Sequence, residues 1–345
     1  MHDVVDLRSD TLTLPTPAMR EAMARAEVGD DVYEEDPTVR RLEELAARRT
    51  GKEAALLVAS GTQGNLCSVL AHTHPGQEIV LDADCHIFNS EVGGPALLGG
   101  LQTRPIPTAR GFLTPEQVEA AIRLPNIHLP VTGLVCIENT HNRHGGACCT
   151  PEEMEAVARV AHAAGVRVHL DGARIFNAAV ALGRPVADFA RPVDSLTFCL
   201  SKGLGAPVGS MVCGDADFIA KARRVRKMVG GGMRQVGVLA AAGIIALESM
   251  VDRLAEDHLH ARRLADGLAR LPWIAIDPRT VQTNIVIFQV DRAGGVGELV
   301  AGGLARKVKI HQIGPHAIRC VTHKDVDAED VDRALDAFRE ITSGW

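Results

Sequence analysis

A lysine and an aspartate, each at the end of an apolar segment, are the residues whose positions best predict chemistry. Lys202 follows the apolar segment Ser195–Leu200 and precedes a glycine-rich turn. Asp171 ends the alternating segment Val166–Asp171, and Gly172 follows it. A partly desolvated lysine amine can form a Schiff base with an aldehyde, and a carboxylate can keep a pyridine nitrogen protonated. The pair therefore predicts a site for pyridoxal 5'-phosphate (PLP).

Two further segments place ligand-binding groups after apolar strands. Ala54–Asn65 leads from a strand through Ser-Gly-Thr-Gln-Gly-Asn into a helical pattern, so Gly61 and Thr62 are predicted to bind a phosphate at the helix N-terminus. His86 follows another apolar strand, where an imidazole can stack on a flat ring or move protons. An ordinary strand-to-helix turn and a structural histidine are the alternatives for these two segments.

The elements that must position these groups alternate between strand and helix over roughly the first 250 residues. Helix starts are predicted at Thr114 and Thr150, because each is followed by Pro and, three residues on, by Gln or Glu. This alternation predicts an α/β fold with a mostly parallel sheet, whose strand ends meet at one edge where ligands bind. Strands are predicted at Ala54–Ser60, Glu78–Asp82, Thr132–Glu138, Val166–Asp171 and Ser195–Leu200.

The last hundred residues are predicted to form a smaller α+β part. A long helix is expected over Gly243–Leu271 and a closing helix over Asp325–Ile341. Strands are expected at Thr283–Val290, Val308–Ile313 and Ala317–Thr322. We therefore expect a large ligand-binding domain at 1–250, which includes an N-terminal arm, and a small C-terminal domain at 251–345.

The composition is that of an ordinary soluble protein. The 345 residues are 46% hydrophobic and 23% charged, and the net charge of −6 gives no reason to expect nucleic acid or an anionic membrane as a partner. The eight cysteines form no C-x-x-C pair and are predicted to be buried thiols in a reducing cytoplasm. The charged segment Met1–Asp10 is unlike a signal peptide, and no apolar run is long enough to span a bilayer.

Two neighbouring histidines raise the question of a metal. His141 and His144 frame the sequence Asn-Arg. No acidic or thiol partner lies at a suitable spacing in the sequence, so we expect a loop that packs near the site and predict no metal ligand.

Eight motifs carry a resemblance to a known family over almost the whole chain. Their order and number are similar to those of low-specificity L-threonine aldolases, which are PLP-dependent enzymes of the aspartate aminotransferase fold (fold type I). The motifs are DLRSDT (Asp6–Thr11), VGDDVYEEDPT (Val28–Thr38), SGTQGN (Ser60–Asn65), CHIFNSE (Cys85–Glu91), ENTHNRHGG (Glu138–Gly146), HLDGARIFNA (His169–Ala178), SKGLGAPVGS (Ser201–Ser210) and RKMVGGGMRQVG (Arg226–Gly237).

The resemblance implies a role for each matching residue. Lys202 would hold the cofactor, Asp171 would pair with its pyridine nitrogen, and His86 would stack on its ring. The remaining cofactor contacts would come from Arg174, Gly61, Thr62, Ser201, Lys227 and Arg234. The substrate would meet Ser9, Arg319, Arg174, Tyr33, His128 and Glu91, with Ser9 and Arg319 gripping its carboxylate. Tyr33, Lys227 and Arg234 would reach in from a neighbouring subunit of a homotetramer built as a dimer of dimers.

The implied activity is retro-aldol cleavage of a β-hydroxy-α-amino acid, such as L-threonine or L-allo-threonine, to glycine and an aldehyde. His86 and His128 are both candidates for the base that takes the hydroxyl proton, and the sequence does not choose between them. The alternatives are another fold type I PLP enzyme, either a β-eliminating lyase or an aminotransferase, and a non-catalytic binding protein. The presence of both Lys202 and Asp171 argues against the last.

Overall fold

The computed structural model describes residues 4–345, which form thirteen strands and fourteen α-helices together with three short 3₁₀ helices. The strands are β1 (Val5–Asp6), β2 (Ala54–Val58), β3 (Glu78–Asp82), β4 (Gln102–Ile106), β5 (Thr132–Glu138), β6 (Arg167–Asp171), β7 (Ser195–Cys199), β8 (Ser210–Gly214), β9 (Ile274–Ala275), β10 (Ile285–Val290), β11 (Val308–Lys309), β12 (His311–Gln312) and β13 (Ala317–Val321).

The helices are α1 (Pro17–Ala24), α2 (Pro37–Thr50), α3 (Gly61–His72), α4 (His86–Asn89), α5 (Gly94–Gly99), α6 (Pro115–Ala121), α7 (Pro151–Ala163), α8 (Ile175–Leu182), α9 (Val186–Ala190), α10 (Ala216–Met228), α11 (Gly237–Ser249), α12 (Leu254–Leu268), α13 (Gly295–Ala305) and α14 (Ala328–Ser343). The starts of α6 and α7 confirm the prediction from sequence. Thr114 and Thr150 each accept a hydrogen bond from the third helical residue, whose own side chain accepts one in return.

Seven strands form the central sheet, in the order β2-β8-β7-β6-β5-β3-β4. Strand β8 runs antiparallel to both of its neighbours, and all the other neighbouring pairs are parallel. Parallel strands require long crossover connections, which here are supplied by helices. The predicted α/β class with a mostly parallel sheet is confirmed.

Alternate side chains of β2 illustrate how helices cover both faces of this sheet. Leu56 and Val58 pack in one buried cluster with Cys67 of α3 and Phe218 of α10. Leu57 belongs to the largest core, on the opposite face, because successive side chains of a strand point to opposite sides. A slip of one residue would exchange the two faces, so burial on both sides helps to fix the register that aligns the strand ends.

A second, antiparallel sheet has the order β12-β13-β10-β9. Phe288 of β10 packs there with Leu264, Leu299 and Phe338 of α12, α13 and α14. Strand β1 pairs in parallel with β11, so the start of the described chain packs against this C-terminal part. The expected smaller C-terminal α+β part is confirmed, while the boundary between 250 and 251 stays a prediction.

Two predicted elements are wrong. The long helix over Gly243–Leu271 is two helices, α11 and α12, separated by a turn in which the amide of Leu254 donates to the carbonyl of Val251. No proline or glycine marks this break, so the periodicity alone suggested one helix. The strand at Val308–Ile313 is two short strands, β11 and β12, which pair in different sheets.

Within residues 4–345, no helix is both long enough and apolar enough to cross a membrane.

Candidate active site

The ends of the parallel strands bring the predicted catalytic groups to one edge of the sheet. Glu138 at the end of β5 lies beside Asp171 at the end of β6. Asp171 lies in turn beside Thr197 of β7, the strand that leads to Lys202. The backbone carbonyl of Lys202 fixes this loop. It accepts hydrogen bonds from Thr13 Oγ1 at 3.0 Å and from the amide of Gly205 at 2.9 Å. Carboxylates and an amine therefore converge where ligands bind in open α/β sheets.

A cavity of about 150 Å³ opens at this edge. It brings together six of the residues that the sequence predicted for the site, from the N-terminal arm, three strand ends and the C-terminal sheet. The residues lining the cavity are Ser9, Thr11, His86, Glu138, Thr140, Asn142, Asp171, Ala173, Arg174, Lys202 and Arg319.

The N-terminus of α3 is the end of the site at which the sequence predicted anion binding. Ser60 caps this helix, and its hydroxyl accepts from the amide of Gln63. The preceding amides, of Gly61 and Thr62, have no acceptor within the helix, as in the first turn of any α-helix. A Cβ on Gly61 would come within 3.0 Å of Cys199 Sγ, so a side chain at that position would crowd β7. Free backbone amides at a helix N-terminus that has no bulky side chain are suited to binding a phosphate.

One asparagine connects the two sides of the site. The Nδ2 atom of Asn65 donates to Asp171 Oδ2 and to Glu91 Oε1, both at 2.8 Å. Glu91 Oε1 also lies 2.8 Å from His86 Nδ1. The Asp171 carboxylate accepts a further hydrogen bond at Oδ1 from the amide of Ala173. Asp171 is thus held as a double acceptor in one orientation.

Behind Asn65, a chain of hydrogen bonds has a single direction. His169 Nε2 lies 3.2 Å from Asn65 Oδ1, and His169 Nδ1 lies 2.9 Å from Ser195 Oγ, which lies 2.7 Å from His72 Nε2. Burial lowers the pKa of His169 to about 3, so this imidazole is neutral. Because Asn65 points its NH₂ at carboxylates, its oxygen must accept, and each donor then points towards Asp171.

His86 is polarised by the carboxylates around it. The hydrogen bond to Glu91 raises the pKa of His86 against the opposing effect of burial, and the charge of Asp171 adds to the rise. Burial raises the pKa of Glu91, and Asp171 raises it further. Burial likewise raises the pKa of Glu138, whose oxygens accept from the amides of His86 and Asn142. The site therefore favours a proton on the His86 ring.

Arg174 is neutralised by a buried partner that the sequence analysis did not select. Its Nε and Nη2 atoms donate to the two oxygens of Asp10 at 2.7 and 2.6 Å. Burial alone would raise the pKa of Asp10, but the Arg174 charge and hydrogen bonds, aided by Lys202, hold it well below its ordinary value. Three of the five N–H groups of Arg174, two on Nη1 and one on Nη2, remain for a ligand.

Changing Asp10 to asparagine is expected to destabilise the protein strongly. Breaking a buried ion pair leaves an uncompensated charge, so the free energy of unfolding at pH 7 should fall by about 3–5 kcal/mol. Because the pKa of Asp10 is lowered by folding, this contribution is present above the ordinary value of 3.8 and is lost as the pH falls below it. Urea denaturation from pH 7 down to pH 3 should show the difference between wild type and variant shrinking.

The Asp6–Arg8 pair is the matched control for this measurement. It has the same bidentate geometry, in which Nε and Nη2 of the arginine donate to the two carboxylate oxygens, but the Arg8 side chain is 43% exposed. The Asp6→Asn change should therefore cost about 0–1 kcal/mol. Equal losses in the two variants would show that burial of the Asp10–Arg174 pair has no special effect.

Arg319 differs from Arg174 because no carboxylate neutralises it among the described residues. Its Nη1 donates to Asn142 Oδ1 at 3.0 Å, and its Nη2 lies 3.5 Å from the carbonyl of Arg8. Its Nε is buried without a hydrogen bond. Burial and the charge of Arg174 lower its pKa. A partly buried guanidinium with free donors beside Lys202 is a site for a carboxylate ligand.

Several predicted site residues do not line the cavity in this chain. His128 lies on an exposed loop between α6 and β5, where its amide donates to Asn126 Oδ1. Tyr33 is 73% exposed, and Arg234 forms an ion pair with Asp30 at 3.1 Å. Lys227 lies in a separate groove of about 620 Å³ between α2 and α10, which contains neither Lys202 nor Asp171.

His141 has an acidic partner that its position in the sequence did not reveal. The Nε2 atom of His141 lies 3.0 Å from Asp82 Oδ1, although 59 residues separate them. Strands β3 and β5 are neighbours in the sheet, so their ends meet. Spacing along the chain could not reveal this contact.

Four further residues of the site were not selected from the sequence. Glu138 had a usable signal, because it ends an apolar strand as Asp171 does. Asn65 lay within a recognised motif but has no distinctive spacing. Asp10 and Asn142 gave no signal, because their partners, Arg174 and Arg319, lie more than 160 residues away.

Comparison with known proteins agrees with this arrangement. Residues 6–293 match the beta-eliminating lyase family. Low-specificity L-threonine aldolase 1 of Arabidopsis thaliana is 45% identical over 345 residues, which cover 97% of this chain and 96% of that protein. The low specificity L-threonine aldolase of Escherichia coli K12 is 43% identical, over 95% of this chain and 96% of that protein. The chain belongs to the low-specificity L-threonine aldolase family.

Solved structures support the same fold for this threonine aldolase family member. The threonine aldolase of Leishmania major superposes with a TM-score of 0.84 at 20% identity, over 98% of this chain and 99% of that one. A serine palmitoyltransferase from Sphingomonas wittichii superposes with a TM-score of 0.79 at 19% identity, over 99% of this chain and 88% of that one. At these identities the likeness establishes the fold, which is the fold type I that the sequence predicted.

Proposed function

We propose that this protein is a PLP-dependent aldehyde-lyase that cleaves L-threonine and L-allo-threonine to glycine and acetaldehyde. The single observation that carries the proposal is the shared cavity of Lys202, Asp171 and the unneutralised Arg319. Family membership supports the same activity, because relatives that match almost the whole chain are named low-specificity L-threonine aldolases.

The residues at the sheet edge fit PLP. Lys202 would hold its aldehyde carbon covalently, and Asp171, fixed as an acceptor, would pair with its pyridine nitrogen. The amides of Gly61 and Thr62 would hold its phosphate, together with Ser201. His86 would stack on its ring. Nη1 of Arg174 would serve the oxygen side of the ring. A solved structure of the same fold is described as SPT with PLP.

When bound, PLP supplies an electron sink for the pair of electrons released as the Cα–Cβ bond breaks. The chain's own residues orient that bond. Ser9 and Arg319 would bind the substrate carboxylate, and this fixes which bond to Cα lies across the ring plane. Asn142 holds Arg319 in place through the 3.0 Å hydrogen bond to its Nη1.

A base must take the β-hydroxyl proton before cleavage. Glu91 engages Nδ1 of His86, which leaves Nε2 of that ring to exchange a proton. His128 is the second candidate. It lies on an exposed loop, so it would act in the site of a neighbouring subunit or after movement of that loop.

The proposal extends to assembly and location. Tyr33, Lys227 and Arg234 would complete the site of a neighbouring subunit, and the exposure of Tyr33 is consistent with burial in such an interface. A homotetramer built as a dimer of dimers would supply these contacts. We place the enzyme in cytoplasmic amino-acid metabolism, in threonine catabolism and glycine biosynthesis.

Elimination is the second candidate reaction, because the family that matches residues 6–293 is described as beta-eliminating lyase. A β-elimination would release 2-oxobutanoate and ammonia from threonine, whereas transamination would need a second amino acceptor. Incubating the purified protein with PLP and either L-threonine or L-allo-threonine separates these reactions. Equal amounts of acetaldehyde and glycine are expected, and 2-oxobutanoate in their place would contradict the proposal.

Changing Arg319 to alanine is expected to raise KM for L-threonine by about 10- to 100-fold, because one or two charge-assisted hydrogen bonds to the substrate carboxylate would be lost. Binding of PLP should change little, because Arg319 is assigned to the substrate. Steady-state kinetics and cofactor titration measure the two effects. Arg8→Ala is the control, since the Arg8 guanidinium is engaged by Asp6. An unchanged KM in the Arg319 variant would remove it from the carboxylate site.

A further inference from the structure

Beside the proposed active site, two pairs of metal-ligand side chains meet at neighbouring strand ends. Asp82 is the last residue of β3 and Asp84 lies two residues later, while His141 and His144 lie on the loop after β5. Strands β3 and β5 are hydrogen-bonded neighbours in the central sheet. Residues that are 59 positions apart are therefore brought to the same place by the fold, outside the set assigned to cofactor and substrate.

The distances within this cluster are close to those of a coordination shell. Asp82, His141 and His144 each offer one ligand atom, and these atoms all lie within 4.8 Å of one another. Asp82 Oδ1 lies 3.0 Å from His141 Nε2, and Asp84 Oδ2 lies 3.4 Å from His144 Nε2. Nitrogen and oxygen ligands around a tetrahedral zinc ion, at about 2.0–2.1 Å from the metal, are separated by ~3.3 Å.

An unsatisfied ring nitrogen also indicates a missing partner. Nε2 of His144 is buried and forms no hydrogen bond, whereas Nε2 of the neighbouring His141 is paired with Asp82. The two rings meet edge to face, with centroids 4.7 Å apart. The His141 side chain is fully buried and that of Asp82 is 4% exposed. Buried polar atoms normally have a partner, so an unsatisfied nitrogen beside the Asp82–His141 pair requires an explanation.

We propose that Asp82, Asp84, His141 and His144 form a binding site for a divalent zinc ion. Two imidazoles with two carboxylates form a ligand set that suits zinc better than magnesium or calcium, which prefer oxygen ligands alone. Thr108 donates to the second oxygen of Asp82 at 2.7 Å and orients it, as outer hydrogen bonds do around metal ligands.

The ion would act as a brace and would take no part in the reaction. Asp84 precedes His86 by two residues, and His141 precedes Asn142, which holds Arg319. A cation shared by the two strand ends would therefore fix the cofactor side and the substrate side of the cavity relative to each other. This role follows from the position of the ligands and does not depend on the reaction catalysed.

Zinc binding to the PLP-loaded protein, produced without an affinity tag and stripped with a chelator, tests the proposal. Titration at pH 8 should give one zinc ion per chain, because metal ligands bind in their deprotonated form. Cobalt in place of zinc should give the strong visible absorption of a tetrahedral site. Saturable zinc should raise the melting temperature, while magnesium and calcium at the same concentration should not.

The variants His144→Ala and Asp82→Asn should each lower zinc affinity at least about 100-fold. Loss of a hydrogen-bond partner of a metal ligand lowers metal affinity by about 10- to 100-fold, and loss of the ligand itself should cost at least as much. His144 is partly exposed, so its variant should fold, and circular dichroism would verify this. His162→Ala is the matched control. His162 pairs with Asp194 at 2.8 Å but belongs to no cluster of three ligands among the described residues.

The control variant should bind zinc as the wild type does. Absence of saturable binding, equal affinity in the wild type and the His144 variant, or a preference for magnesium would each overturn the assignment. None of these readouts uses aldolase activity, so the zinc site and the proposed function can fail separately.

Discussion

Replacing Lys202 with alanine is expected to abolish both the visible absorption of bound PLP and the cleavage of threonine. Lys202 is the lysine in the cavity that contains Asp171 and Arg319, so no other amine there would replace it. Losing the residue that holds the cofactor covalently should lower kcat by at least about 10³-fold, the scale found when covalent catalytic groups are removed. Absorption spectra and acetaldehyde release measure the two losses.

Lys52→Met is the control for this change. Burial lowers the pKa of Lys52, and its Nζ donates to the carbonyl of Val193. It is therefore another desolvated lysine, but it does not line the cavity. Its variant should keep both the absorption and the activity. Full turnover by the Lys202 variant would refute the proposed function itself.

Changing Asp171 to asparagine is expected to lower kcat by about 10²–10³-fold while the protein still takes up PLP. That range is typical for removal of one preorganised electrostatic group. Both oxygens of Asp171 accept hydrogen bonds, from Asn65 Nδ2 and from the amide of Ala173. An amide side chain would turn an NH₂ group towards one of these donors and would carry no charge to hold a proton on the pyridine nitrogen.

Single-turnover kinetics and the absorption of the loaded protein would measure this effect. Asp194→Asn provides the comparison, because Asp194 lies at the opposite end of the same strands, where it pairs with Arg167 and His162. That change should lower stability and leave kcat close to the wild-type value. A normal kcat in the Asp171 variant would show that the pyridine nitrogen has another partner.

Local sequence patterns predicted the strands that carry the site because each is an apolar segment buried on both faces. Glu78–Asp82 and Thr132–Glu138 agree with the structure to the residue. The antiparallel strand β8 was not predicted as an element, although it is a short segment that is buried throughout. The break between α11 and α12 was also missed, because the hydrophobic pattern continues through the turn.

The site was predictable where one local segment supplies the group, as for Lys202, Asp171 and His86. It was not predictable where a partner comes from a distant segment. Arg174 was predicted to bind ligands, yet Asp10 takes two of its donors. Of the two arginines in the cavity, Arg319 is the one without a carboxylate partner among residues 4–345. Pairing of this kind depends on the tertiary fold, and so does the meeting of Asp82 with His141.

The two halves of the cavity are translated at different times. Arg319 lies more than a hundred residues after Lys202 in the sequence, so the ribosome adds it well after helix α3, Asp171 and Lys202. Strand β8, which lies between β2 and β7, completes the central sheet at residue 214. A chain of that length already carries Asp171 and Lys202 and still lacks Arg319. In the order of synthesis, the lysine and aspartate proposed for the cofactor therefore precede the guanidinium proposed for the substrate carboxylate.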